Sequence, residues 1–332
     1  MNRIIGIGDI HLRSKSYYKV GFNQFLNWIK DTLKDEDKPN TEILIAGDVL
    51  DKVTILPYAA ALTVDFFRAL KQKAENVYVI LGNHDYGLSE YKVINTKSFL
   101  EKNGVIVIDQ LCEYTTQLGF KLLCLPWTYG SRHKDVNEFL KEHTGSYDVC
   151  TAHWELESLY GSDFVDLSGV QAKAFMCGHI HSHKVNPKYL GSILPNNIEE
   201  LKTKDPSVFR ILTQDGKVED LNIPDFVKLA TFTIKDLTDL NQLSKDSDIF
   251  YKVYHPKTIS SRDIIAQAKV LGLKVYGTEK DREELSIDFK SIDDVQEYKV
   301  QSHEDILNSC RERMQLTDEV YNLCLQTITA VS

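Results

Sequence analysis

"RIIGIGDIH", residues 3–11, is the stretch whose reading decides the fold. A β-branched run ends at Gly8, and two chemistry-bearing residues follow, Asp9 and His11. A glycine-rich opening of this kind invites comparison with a dinucleotide-binding loop. That loop needs G-x-G-x-x-G, and its third glycine would fall where His11 stands, so the reading fails. The surviving reading is a strand that delivers a carboxylate and an imidazole to one side, because side chains at i and i+2 of an extended chain point the same way.

The pattern recurs four times in order. "EILIAG" (Glu42–Gly47) leads into "GDVLD", with Asp48 and Asp51, and "VYVILG" (Val77–Gly82) leads into "GNHD", with Asn83, His84 and Asp85. "DVCTAH" (Asp148–His153) ends on His153, and "AFMCGH" (Ala174–His179) runs into "GHIH", with His179 and His181. Ligands of α/β proteins gather at the carboxyl ends of strands, so these five stretches can converge on one cavity. Alone, a GD pair is a turn and a D-x-H is noise; five such elements in order, each at a strand end, form a constellation. Asp9, His11, Asp48, Asn83, His153, His179 and His181 offer oxygens and imidazole nitrogens and no thiolate. That set suits manganese, iron, zinc or similar ions better than calcium, magnesium or a structural zinc; the cofactor expected first is manganese, with magnesium, iron or zinc as alternatives. Seven ligands are too many for one ion and fit two divalent cations sharing a carboxylate.

The rest of the chain bounds this reading. Its 332 residues are 42% hydrophobic and 26% charged, an ordinary globular composition with room for one large domain and a smaller one. No apolar run approaches the roughly 20 residues of a membrane span, so no membrane is expected. Six cysteines occur singly, without C-x-x-C, and read as reduced thiols of a cytoplasmic protein. A net charge of −9 argues against gripping nucleic acid by bulk electrostatics alone. Further strands are expected at 105–109, 121–126 and 207–212, and helices at 19–34, 57–74 and 90–102. After the "IPDF" around Pro224 a second unit follows: strand 230–235, helix 236–244, strand 249–254, helix 262–271, strand 273–277. Ser260 or Ser261 caps its second helix and Gly272 ends it. Two helices, near 303–314 and 318–330, close the chain. Domains are therefore expected at 1–222, 228–300 (an α/β cap) and 302–332.

D-x-H, GD, GNHD, a lone His and GHxH in this order resemble the calcineurin-like metallophosphoesterase superfamily, over about the first 200 residues. The resemblance implies an α/β (α+β) fold, a four-layer β-sandwich flanked by helices, with a small C-terminal α/β capping domain. It implies that Asp9, His11 and His181 hold one metal and Asn83, His153 and His179 the other, with Asp48 bridging. His84 would be the catalytic histidine near the leaving group, with Asp85 placed to orient it; Asp51, three residues past Asp48, is read from its position as supporting the ligands from behind, the alternative being a cap on the segment that follows. Within the superfamily, the second Asp of "GDVLD", the Leu125–Pro126 pair and "YLGSILPNNIEE" resemble the SbcD-type nucleases of double-strand-break repair, including phage recombination endonuclease subunits. That branch implies phosphodiester hydrolysis of DNA by a two-metal-activated hydroxide, an SbcC-type SMC-like coiled-coil ATPase partner and a homodimer within the complex. Arg13, Trp127, Arg132 and His183 are candidates to touch DNA; His133, His143, His255 and His303 read as solvated. The competing expectation is a small-molecule phosphodiesterase or phosphatase of the same superfamily, and a non-catalytic scaffold comes last.

Overall fold

The computed structural model describes residues 1–13, 16–51, 57–86, 90–128, 130, 132–158, 163–195, 207–246 and 249–280. The expected C-terminal helices, with Cys310, Cys324 and His303, lie outside the described residues.

Four parallel strands, β1 (Arg3–Ile7), β2 (Thr41–Ile45), β3 (Asn76–Ile80) and β4 (Ile106–Ile108), form the first sheet. Strand β9 (Val208–Thr213) joins β1 antiparallel, and β10 (Val218–Asn222) closes the edge beside β9. A second sheet has the order β5 (Cys112–Thr115), β6 (Lys121–Leu125), β7 (Ser146–Ala152) and β8 (Gln171–Phe175), parallel except for the β5–β6 pair. The period of two in β-structure divides each strand's side chains between two layers. Ile4, Leu44 and Ile80 of the first sheet meet Leu122, Cys124, Val149 and Ala174 of the second inside the sandwich. On the opposite face, Ile5, Ile7, Ile43, Ile45 and Val79 pack on helices α1 (Ser16–Thr32) and α2 (Pro57–Lys73). The outer face of the second sheet receives Val136 and Leu140 of α5 (His133–Glu142). The result is helix, sheet, sheet, helix, the four-layer α/β architecture expected.

The helix-side core is aromatic at its centre. Phe25 of α1 has the rings of Phe22, Trp28, Phe66, Phe209 and Phe226 within 6.3 Å, centroid to centroid. Two further helices, α3 (Asn83–Tyr86) and α4 (Glu90–Lys102), follow β3.

A third sheet, all parallel, comprises β11 (Lys228–Thr233), β12 (Ile249–His255) and β13 (Val275–Lys280). It has its own core of Ile234, Leu240, Tyr251, Val253, Ile264 and Ala268 under α6 (Ser261–Leu271). Ser260 caps α6 by accepting from the Asp263 amide, and Gly272 ends it at φ 72°. The segment expected as helix 236–244 is instead a 3-10 turn, Leu237–Gln242, started by Asp236 accepting from the Thr238 amide. His255 and His143 correct the solvated reading: His255 is 1% exposed, and His143 stacks on Phe139 at 3.7 Å. Among the described residues no helix is long and apolar enough to cross a membrane.

Truncating the aromatic hub removes buried ring contacts on five sides. Phe25→Ala is expected to cost about 3–5 kcal/mol, read as a lower urea midpoint at unchanged m-value. A loss below about 1 kcal/mol would show that the hub collapses around the gap.

Candidate metal centre

The five motif stretches meet where the carboxyl ends of β1, β2 and β3 face those of β7 and β8. Asp9, His11, Asp48 and His153 are each no more than 1% exposed. Asp48 lies at the centre: its Oδ2 is 3.4 Å from His11 Nε2 and 3.2 Å from His153 Nε2. On one side His11 Nε2 stands 3.0 Å from His181 Nε2, and Asp9, His11 and His181 present ligand atoms to a common point. On the other, Asn83 Oδ1 is 3.0 Å from His153 Nε2 and 3.1 Å from His179 Nδ1. Asp9 touches both sides, since its Oδ1 is 3.7 Å from His153 Nδ1. All seven side chains read as ligands from the sequence are therefore brought together.

These contacts fit cations. Two imidazole nitrogens facing one another at 3.0 Å can share at most one proton, and His11 Nδ1, also buried, has no hydrogen-bond partner. Neighbouring ligands on an octahedral ion with bonds of about 2.1 Å stand about 3.0 Å apart, the spacing found on each side. His153 donates from Nδ1 to the Ala46 carbonyl at 2.7 Å, which commits Nε2 to the cavity. Burial depresses the His153 pKa, but Asp48 and then Asp9 outweigh it and raise it to about 10.

The backbone is strained at this spot. Among the described residues, the non-glycine residues with positive φ are His11 (49°), Asp48 (46°) and His179 (90°), three of the seven candidate ligands. Such conformations cost on the order of 1–3 kcal/mol each and persist only where the surroundings impose them. Here the His11 amide donates to the Asp48 carbonyl at 2.8 Å, and the His179 amide donates to both Asp9 oxygens at 2.9 and 3.1 Å. Two glycines make room: a Cβ on Gly82 would lie 2.2 Å from Asp48 Oδ1, and one on Gly178 2.2 Å from the Ala46 carbonyl.

Asp85 corrects the expectation that it orients His84. Its carboxylate is fully buried and accepts from the amides of Gly82 (3.0 Å), Leu50 (3.1 Å) and Val49 (3.3 Å), riveting the GNHD turn to the GDVLD turn. Burial and the neighbouring Asp48 charge push its pKa up to about 7. The His84 ring is held instead through Nδ1 by the Asp51 carbonyl at 2.8 Å, and its amide donates to Asp48 Oδ1 at 2.8 Å. His84 is exposed and stands edge-on to His11 at 4.7 Å, at the mouth of the cavity. Asp51 also pairs with Arg13 at 2.9 Å and comes within 3.9 Å of His11 Nδ1.

Three DNA candidates are engaged in the scaffold. Arg13 is buried, and beyond Asp51 it donates to the His11 carbonyl. His183 contacts the Tyr189 carbonyl at 2.6 Å and stands 3.9 Å from Asp220. Trp127 is half-buried, stacks on Trp154 at 6.4 Å and packs on two cores. Arg132 remains exposed, just before α5. Two residues were missed. Glu155 lies 2.9 Å from His179 Nε2 and 2.8 Å from His133 Nε2, and the hydrogen bond from His179 holds its pKa down at about 2. His133, read as solvated, is thus tied to the site. The available signal was position: Glu155 stands two residues past His153.

The comparison with known proteins agrees with this geometry. A family model described as calcineurin-like phosphoesterase matches residues 2–183. The chain belongs to that family. A Bacillus subtilis relative named as an uncharacterized metallophosphoesterase, YkoQ, is 25% identical over 187 residues, 55% of this chain. The match covers 62% of that relative, so the chain spans less than two thirds of it. Calcineurin-like phosphoesterases hydrolyse phosphoesters with divalent metal ions, and the nitrogen and oxygen donors assembled here are suited to hold them.

The two glycines give a test. Gly82→Ala and Gly178→Ala are expected to leave a folded chain by circular dichroism that takes up markedly less manganese, counted by metal analysis after gel filtration. Uptake equal to that of the original chain would show that the cavity tolerates the displaced Asp48 or Ala46 backbone.

Proposed function

We propose that this calcineurin-like phosphoesterase is a DNA nuclease of the SbcD type, acting in repair or recombination with an SMC-like coiled-coil ATPase of the SbcC type and as a homodimer within that complex. The observation that carries the reading is the position of Asp51, the second acidic residue of "GDVLD". Its carbonyl holds the His84 ring, and its carboxylate joins Arg13 behind His11. The two softer branch features also buttress the site. The Pro126 carbonyl accepts from Trp154 Nε1 at 3.1 Å, directly beside His153. In "YLGSIL", the Ser192 amide donates to the His181 carbonyl and the Ile193 amide to that of Asp9.

Asp9, His11 and His181 would hold one cation and Asn83, His153 and His179 the other, with Asp48 between them. When bound, such a pair supplies Lewis-acid polarisation of the phosphate and a nucleophile at neutral pH. The chain's own part is positioning and proton transfer. A deoxyribose 3′-oxygen is a poor leaving group and needs a proton as its bond to phosphorus breaks. His84 would take that role: its Nδ1–H donates to the Asp51 carbonyl, which leaves Nε2 as the nitrogen through which a proton would be exchanged at the open side of the cavity. Arg132, exposed before α5, is available to a backbone phosphate.

Linear duplex DNA with manganese and the ATPase partner should be degraded, and His84→Ala should slow this by about 10²–10⁴-fold while metal content stays unchanged. Cleavage of bis-p-nitrophenyl phosphate with DNA left intact would assign the chain to small-molecule phosphodiesters instead. Loss of metal in His84→Ala would make His84 a ligand.

A further inference from the structure

The cavity holds its histidines from behind in different ways. His153 leans on a neutral carbonyl, that of Ala46, at 2.7 Å. His179 leans on a carboxylate: Nδ1 faces Asn83 inside the cavity, while Nε2 on the far edge lies 2.9 Å from Glu155 Oε1. A carboxylate behind an imidazole fixes which nitrogen carries the proton, holds the ring plane and makes the opposite nitrogen a stronger donor to a cation. Glu155 is itself anchored, because its second oxygen meets His133 Nε2 at 2.8 Å. His133 begins α5, and its ring stands edge-on to Trp154 at 5.3 Å, which seats it against the buried core of the second sheet. The chain His133–Glu155–His179 thus runs from a helix start to one side of the cavity only. The group on the other side, Asp9, His11 and His181, does not include it.

We propose that Glu155, steadied by His133, is a positioning residue that sets the affinity of one cation position, the one bounded by Asn83, His153 and His179. The inference rests on the two-cation reading above and adds an asymmetry to it. Loss of Glu155 frees the His179 ring to rotate and to exchange tautomers, while the Asp9–His11–His181 position keeps its ligands. The substitution Glu155→Gln retains an amide oxygen that accepts from Nε2–H but removes the charge, so it falls between the original residue and alanine.

Manganese titrations of the full chain, followed by electron paramagnetic resonance, test this on the original protein, Glu155→Gln, Glu155→Ala and His133→Ala. The original chain should bind two ions. Glu155→Ala should weaken one of them by about 10–100-fold and leave the other unchanged. Glu155→Gln should weaken the same ion less, and His133→Ala should affect it in the same direction. Long-range nitrogen–proton spectra of the metal-free chain should show a single His179 tautomer, protonated at Nε2, that is lost in Glu155→Ala and kept in Glu155→Gln. A structural role alone would neither separate the two ions nor move the tautomer. Unchanged binding of both ions, or equal loss of both in chains that melt like the original, would overturn the proposal. Should Glu155→Ala not fold, the glutamine variant decides the matter by the same criteria. Fewer than two ions in the original chain would refute the two-cation reading itself, and the metal-free spectra would still judge Glu155.

Discussion

A carboxylate buried between two imidazoles is the constraint around which this molecule is organised. Asp48 has almost no exposure, and His11 and His153 both approach the same oxygen. A second carboxylate, Asp9, is buried alongside. Burying such charge is costly unless it is met by positive charge in good geometry. Asp48 and Asp9 accordingly hold the His153 pKa up, at about 10. Divalent cations answer the same requirement with more charge, and imidazole nitrogens about 3 Å apart are arranged for them.

That arrangement is imposed on the backbone. Three candidate ligands, His11, Asp48 and His179, sit at positive φ, where a residue with a side chain resists. The opposing force is local and specific. Asp85 grips three amides across two turns, the Asp9 carboxylate receives the His179 amide, and the Asp48 carbonyl receives those of Ile10 and His11. Strain at the ligands is offset by hydrogen bonds to carboxylates and carbonyls that are themselves buried. These hydrogen bonds hold the backbone of the site without help from an ion, the arrangement that electrostatic preorganisation requires. The two sheets supply the frame, since only their packed interior brings the ends of β1–β3 opposite those of β7 and β8.

Much of this was legible in the chain because buried parallel strands read as apolar, β-branched runs, and the ligands follow them directly. "RIIGI", "TEILI" and "NVYVI" each announce both a strand and the motif after it. Strands β5 ("CEYT") and β10 ("VEDLN") were missed because each lies at a sheet edge with half or more of its residues exposed, so no apolar run marks them. Helix α5 was missed because it buries only Val136 and Leu140. The site's supports were harder. Asp85 serves amides 35 and 36 positions away, and no spacing rule predicts that two turns will meet there. Arg13 and His183 looked available because loop charges are usually solvated; tertiary partners, Asp51 for one and the Tyr189 carbonyl for the other, claim them. Glu155 and His133 are separated by 22 positions and join only when β7 and α5 pack side by side.

The most direct measurement is anomalous diffraction from crystals of the chain soaked in manganese. Two peaks about 3.5–4 Å apart, one on each side of the Asp48 carboxylate, are the predicted result. A cavity without a peak, or a single ion bound away from Asp48, would contradict the account at its centre.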